Sequence, residues 1–577
     1  MRARTVYAVL EDTASAQGTR RALHQPLGDG KYRSWTWREY CDSVRQIAVG
    51  LRAIGVAKGE IVALQSETRA EFYLADLGVI SAGAVAAALY TSLPYAEQTA
   101  TLKACDARVV LVENVKAMRA LQTAADSSGG LNVRWILLTG ASEGQLTLED
   151  LRASGERLLK EDPQAFERIR GEIQDSDNAI LYMTSGATGE PKMALVTHRA
   201  LVFNIDMAPT VLPLTPEDVT IAFLPSAHIA QRVVVELTPV RQGSCVCFSE
   251  SLARLPIEIR TLKPTFFLAP PRVWERVYST ITTEIRKRPA AIRKLFYIGV
   301  GVGSEANRLR QANKPVPGWI KASLRLFDHL VFTKVRARLG GRIRIAVSGA
   351  APLGKDLAEF YAAIGMPLIE GYGLTEGGVA IFNPLDRPKP GSIGKVLPGV
   401  DARIEQDGEL MLRSPCVFSE YYKDPEATAA VLRDGWLATG DIAEVDADGY
   451  WYITGRKKEL IVSSNGKKIY PARIEVLFKR EPAINQVLLI GDRMPYVTAL
   501  FTVNGTPAET QDAVTQAVKA VNGRLAPFEQ IRKFKIVDRE FSIDRGEVTP
   551  TMKVRRSRVL ENHRALVSEM YMGKEMD

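Results

Sequence analysis

The chain has 577 residues, too many for one hydrophobic core, so several domains are expected. Hydrophobic residues at 46% and charged residues at 24% exclude wholesale disorder, and 44 glycines with 30 prolines exclude collagen-like or low-complexity chains. Five cysteines without a CxxC pair argue against a disulfide framework or a structural zinc site, and the longest weakly polar run, residues 78–90, is too short to span a bilayer.

In chain order, Trp35-Thr-Trp-Arg-Glu-Tyr opens a predicted helix running to about Ile54, and Ile61-Val-Ala-Leu predicts a buried strand. A helix over residues 71–83 and the strand Arg108-Val-Val-Leu-Val follow. Strands alternating with helices require crossover connections and hence a largely parallel sheet. The pattern resumes after residue 190 with strands near 219–224, 265–269, 343–347 and 367–370, and Cys245 and Cys247 read as small core residues of an apolar strand. From about residue 399 short strands and tight turns take over, with Asp407-Gly408 and Asp448-Gly449 as hairpin turns. A charged junction at residues 456–458 then opens a last region with its own strand and helix pattern.

The net charge of +9 is unevenly placed. Residues 286–344 hold fifteen Lys and Arg against Glu305 and Asp328, a local +13, so the rest of the chain sums to −4. Within that segment residues 319–338 predict one amphipathic helix, with Trp319 and Ile320 followed by Leu324, Phe327, Val331 and Val335 at three- and four-residue steps. Two readings stand: a surface that attracts anionic lipid headgroups, or a solvated basic face on a core-packed helix. No nucleic-acid module accompanies the charge, so no nucleic-acid partner is expected. The basic N-terminus is followed by no apolar stretch long enough for a signal peptide, and a cytoplasmic location is expected, with peripheral contact at the inner face of the membrane on the first reading.

Four clusters carry chemistry. Tyr182-Met-Thr-Ser-Gly-Ala-Thr-Gly-Glu-Pro-Lys192 ends the apolar Ala179-Ile-Leu-Tyr strand; its small hydroxyl and glycine residues let backbone N–H groups close around phosphate oxygens while lysine adds positive charge. The spacing is not that of a Walker A motif. Glu370-Gly-Tyr-Gly-Leu-Thr-Glu376 sets two carboxylates around a glycine-flanked aromatic, which on its own reads either as a simple turn with a capping glutamate or as a ring to stack on a base beside a ligand for a hard cation. Gly435-Trp-Leu-Ala-Thr-Gly-Asp441, with Gly455-Arg456 shortly after, offers a carboxylate and a guanidinium for ribose hydroxyls, and Thr549-Pro-Thr-Met-Lys553 places a lysine near the end.

In this order the clusters resemble those of the adenylate-forming, AMP-binding superfamily, most closely its long-chain fatty acyl-CoA synthetase branch. Leu224-Pro-Ser-Ala-His228-Ile-Ala-Gln-Arg and Ala269-Pro-Pro-Arg-Val-Trp-Glu-Arg are similar to stretches of that branch. The resemblance implies an α/β protein with a large N-terminal region of largely parallel sheets over residues 1–455, a β-rich subdomain at about 399–455, and a small mobile α+β C-terminal lid over 456–577. It implies a carboxylate attacking the α-phosphorus of Mg·ATP to give acyl-adenylate and pyrophosphate, then coenzyme A thiol attacking the adenylate.

The roles follow from the same resemblance. Thr184, Ser185, Gly186, Thr188, Gly189 and Lys192 would hold phosphates, and Thr184 with Glu376 the Mg²⁺. Gly349, Ala350, Ala351 and Tyr372 would flank adenine, with Glu370, Gly371, Gly373 and Thr375 completing the nucleotide site. Asp441 and Arg456 would hold the ribose and Lys553 bridge carboxylate and α-phosphate. His228 would stand at the acyl tunnel, Lys458 would be the hinge, and Ser464 and Gly466 would line the coenzyme A path. Two departures, Ala187 for a threonine and Met193 for a glycine, imply altered nucleotide affinity or rate without loss of chemistry. The rivals are a fatty acyl-AMP ligase that serves a carrier protein and a silent fatty-acid-binding homologue; chain length and oligomeric state stay open.

Overall fold

The computed structural model describes residues 4–126, 129–140, 144–185, 191–550 and 552–571. Two large sheets organise the first part. One runs Lys395–Val396, Gly378–Phe382, Leu368–Leu374, Ile345–Ser348, Phe266–Ala269, Val219–Ala222, Cys245–Phe248, Arg21–Gly28, Lys31–Thr36, with its interior pairs parallel and antiparallel strands at both edges. The other runs Glu420–Tyr421, Pro191–Thr197, Asn178–Ser185, Val85–Ala88, Ile61–Gln65, Val109–Val112, Arg134–Leu137, Leu146–Thr147, again parallel except at the Pro191–Thr197 side. Their central strands are buried on both faces, which is why they read as continuous apolar runs without alternation.

The largest core joins both sheets through Trp37, Tyr40, Val44, Ile47 and Phe72. The helix Trp37–Ala53 starts at a capping box in which Thr36 and Glu39 satisfy each other's backbone amides. Trp35 and Thr36 therefore close the preceding strand, and the helix begins two residues later than the sequence reading put it. The strands Asp401–Ile404, Glu409–Arg413, Trp436–Val445 and Trp451–Arg456 form the turn-rich β sheet, joined by hairpins at Asp407-Gly408 and Asp448-Gly449. A separate three-stranded sheet, Ile484–Ile490, Val497–Val503 and Ile531–Ile536, is covered by the helix Pro507–Asn522 and forms a small C-terminal lobe with its own apolar clusters.

The predicted helix over residues 319–338 departs from expectation. It is built as Gly318–Phe327, a wide π-type turn Asp328–Phe332, and Thr333–Ala337. Ile320, Phe327, Val331 and Val335 are buried, but Trp319 is 66% exposed. One residue is a rotation of about 100° around a helix, and the neighbouring helices cover the side that Ile320 presents and leave that of Trp319 open.

Candidate active site

The motifs converge over the carboxyl ends of the parallel strands, where open α/β sheets receive ligands. Asn178–Ser185 delivers Thr184, half-buried, directly opposite Lys192 on the antiparallel strand Pro191–Thr197. The two described ends of the glycine-rich motif, Thr184 and Lys192, thus face each other across a pair of antiparallel strands. Gly186, Thr188, Gly189 and Ala187 lie outside the described residues, as does the side chain of Ser185. Met193 pairs with Met183 in the strand and packs on an apolar cluster, so its bulk is absorbed by the sheet.

Ile345–Ser348 leads into Gly349, Ala350 and Ala351, and Ala350 has φ 69°, a left-handed conformation that costs a non-glycine residue energy and marks a turn fixed by its surroundings. Leu368–Leu374 carries Glu370, Gly371, Tyr372 and Gly373, with Thr375 and Glu376 just beyond. A Cβ on Gly373 would stand 2.4 Å from the Gly378 carbonyl oxygen, so only glycine fits there. Glu370 is buried and accepts the amides of Gly391, at 3.2 Å, and Leu353; burial pushes its carboxyl up to about 7. It braces the Leu353 and Gly391 loops against the strand.

Asp441, on Trp436–Val445, sits opposite Arg456 in the hairpin. Arg456 Nε is 2.9 Å from Asp441 Oδ1, and Tyr372 Oη donates to Asp441 Oδ2 at 2.7 Å. Tyr421 was not singled out by sequence, since no motif marks it. Its hydroxyl donates to Glu376 Oε1 at 2.7 Å, and Lys192 Nζ lies 4.7 Å above its ring, so this one side chain bridges the phosphate hairpin and the Glu376 turn.

His228 follows the strand Val219–Ala222 and is half-buried. The Ala230 amide donates to its Nδ1 at 3.2 Å, and burial, helped by the Lys553 ammonium, pushes the imidazole down to about 3. The ring is neutral at ordinary pH, and with Nδ1 accepting, its proton is on Nε2, free to donate to an oxygen. Lys553 keeps accessible surface while standing deep among protein groups, as a crevice-lining residue does. Desolvation and Arg456 lower its pKa, while Asp441, Glu376 and Glu459 favour the ammonium. The small lobe therefore brings its lysine to the same cleft as Asp441, Arg456, Glu376 and His228.

Lys458 lies in the exposed turn Lys457–Glu459 between two anchors. Lys457 is bound to Asp407 and Glu409 of the β-rich sheet at 2.5 and 2.7 Å, and Glu459 faces Arg556 of the small lobe at 3.7 Å. Ser464 and Gly466 are on an exposed loop of that lobe, with Gly466 at φ 73°. Among the described residues no three His, Cys, Asp or Glu side chains converge as a metal site, and the oxygen-bearing side chains that the sequence motifs mark for a cation are those of Thr184 and Glu376. With Tyr421 on Oε1, Glu376 keeps Oε2 for a hard cation, and a hydroxyl plus a carboxylate suit Mg²⁺.

Residues 10–422 match the AMP-binding enzyme family model, and residues 458–575 match that of the AMP-binding enzyme C-terminal domain. The chain belongs to the AMP-binding enzyme family. It is 34% identical to the long-chain-fatty-acid–CoA ligase FadD15 of Mycobacterium tuberculosis over 95% of this chain and 94% of that protein. To the human long-chain-fatty-acid–CoA ligase ACSBG1 it is 28% identical, over 95% and 82%. Among solved structures, the anthranilate CoA ligase AuaEII in complex with anthranoyl-AMP superposes with a TM-score of 0.77 at 21% identity, covering 98% of each chain, which establishes the shared fold.

Proposed function

We propose that this protein is an ATP-dependent long-chain fatty acyl-CoA synthetase that works through an acyl-adenylate. The observation that carries the reading is the convergence of Lys553, from the small lobe, with Asp441, Arg456, Glu376 and His228 from the large region. The names of the full-length relatives support the acid class and the acceptor.

In the first step a fatty carboxylate and the α-phosphate repel each other, and Lys553 neutralises both while holding them in line. Asp441, oriented by Arg456 and Tyr372, accepts the ribose hydroxyls. The turn 349–351 and the Tyr372 ring enclose the base. Lys192 and the hairpin tip hold the departing pyrophosphate, and neutral His228 donates from Nε2 to the acyl carboxylate. Glu376 and Thr184 would hold Mg²⁺, whose chemistry there would be charge neutralisation on the phosphates. For the second step the small lobe beyond Lys458 pivots at that residue, withdrawing Lys553 and bringing the Ser464–Gly466 loop to the thiol. The test is incubation with palmitate, ATP and free coenzyme A. Palmitoyl-CoA and AMP are expected; adenylate that accumulates without thioester would instead favour delivery to a carrier protein.

Contact with an anionic membrane is part of the proposal, and a specific observation favours it. Trp319, Leu326 and Leu330 are 66%, 57% and 40% exposed and fall on one outward stripe of the basic segment. Lys321, Arg325, Lys334 and Arg338 beside them make no ion pair among the described residues, whereas Lys287, Arg308, Arg336 and Arg344 do. Apolar anchors ringed by unpaired cations match an anionic lipid surface. Co-sedimentation with vesicles containing phosphatidylglycerol is expected, weakened by salt and by Trp319→Ala with Leu326→Ala. Equal binding to neutral vesicles, or self-association through this face, refutes it.

A further inference from the structure

The small lobe grips the large region at a second place, away from Lys553. Lys479, just past the turn Val476–Phe478, sets its ammonium 2.9 Å from Glu275 Oε1 and donates to the Pro352 carbonyl oxygen at 2.5 Å. Glu275 stands on the helix Pro271–Arg286, and Pro352 closes the turn that holds Ala350 in its left-handed conformation. Alongside, Arg480 and Arg524 approach Asp356 at 3.8 and 3.3 Å, and Arg272 donates to the Asn485 carbonyl. Val476 Cγ2 is 3.0 Å from where Gly354 would carry a Cβ, so the two surfaces meet at backbone distance. In these ion pairs the cations are on the small lobe and the anions on the large region.

Lys479 and Lys553 move together. Arg556, three residues after Lys553, is ion-paired with Glu475, four residues before Lys479. Any rotation that withdraws Lys553 must also pull Lys479 from Glu275 and from the Pro352 carbonyl.

We propose that Lys479 is a positioning residue for adenylate formation. It fastens the small lobe in the arrangement that delivers Lys553, and through Pro352 it ties that arrangement to the turn assigned to adenine. The proposal rests on the two-step reading above. Lys479 touches no reacting atom; it acts on the population of the closed arrangement, so it must affect one half-reaction and spare the other.

The experiment measures two rates on the full chain: fatty-acid-dependent ATP–pyrophosphate exchange, and acyl-CoA formation from supplied acyl-adenylate. In Lys479→Met, exchange is expected to fall about tenfold while thioester formation is unchanged or faster. Glu275→Gln, which keeps shape and an acceptor oxygen, should give the same split more mildly and carries the test if the methionine variant folds poorly. Added salt should slow wild-type exchange toward that of Lys479→Met, because the ion pairs are partly open to solvent. Equal loss in both rates, or no loss of exchange, overturns the proposal. Lys553→Ala is the reference: if it separates the half-reactions and Lys479→Met does not, only the role of Lys479 falls. If Lys553→Ala fails to separate them, the two-step reading falls as well.

Discussion

Asp441 has both carboxylate oxygens committed, one to Arg456 and one to Tyr372, so it is held in a single orientation before any nucleotide arrives. A hydrogen bond to a charged group is worth about 1.5–3 kcal/mol, so Asp441→Asn should raise KM for ATP by ten- to a hundredfold with a smaller effect on kcat. Steady-state kinetics at varied ATP check this. Tyr421→Phe removes the one side-chain hydrogen bond that Glu376 makes among the described residues, and about a fivefold loss of pyrophosphate exchange is expected, recovered in part by excess Mg²⁺.

Glu370 makes a pH prediction with a definite sign. Its carboxyl is raised from 4.5 to about 7 by burial. A raised folded-state pKa means that the protonated form favours folding: this contribution is fully present below about 4.5 and is lost as pH rises through 7. Glu370→Gln should therefore gain thermal stability over wild type between pH 5 and 8, by a few kcal/mol at most. A difference in melting temperature that does not change with pH would contradict it.

At the scale of elements, the parallel strands were legible because strands buried on both faces are written as uninterrupted apolar runs, as in Val109–Val112. The two tight hairpins were legible from Asp-Gly pairs, which favour the turns that twist strands correctly. The site motifs were legible as spacing, but not their partners. Tyr421 reaches Glu376 across 45 positions of sequence, and Lys479 reaches Glu275 across about 200, separations that no local pattern encodes. The basic helix was half legible: its period showed an apolar stripe, while the break at Asp328–Phe332 and the outward Trp319 depend on what the neighbouring helices cover. Met193 teaches the same lesson. Its departure from glycine implied altered nucleotide affinity or rate, yet it belongs to a strand, where extended backbone accepts any side chain. Met193→Gly alone is thus expected to destabilise the hairpin without improving ATP binding, whereas Ala187→Thr restores a hydroxyl and should lower KM for ATP; the two single variants, assayed separately, decide.

At the scale of the whole molecule, the lobes are joined through one short turn whose neighbours are anchored to opposite sides, Lys457 to the large region and Glu459 to the small. On the proposed two-step mechanism the rotation would be absorbed at Lys458. Proline fixes φ and removes a donor, so Lys458→Pro should preserve pyrophosphate exchange and abolish thioester formation. Loss of both activities would place the pivot elsewhere.

On the proposed mechanism the ammonium at 553 arrives with a moving part, and the chain would carry a safeguard against waste. An ATP molecule sitting in the open cleft would lack the cation that makes its α-phosphorus vulnerable, so water would gain little by being first. Only with the lobe swung shut, and a fatty acid already occupying the space that solvent would use, would the nucleotide become reactive. Fuel would thereby be spent in proportion to cargo.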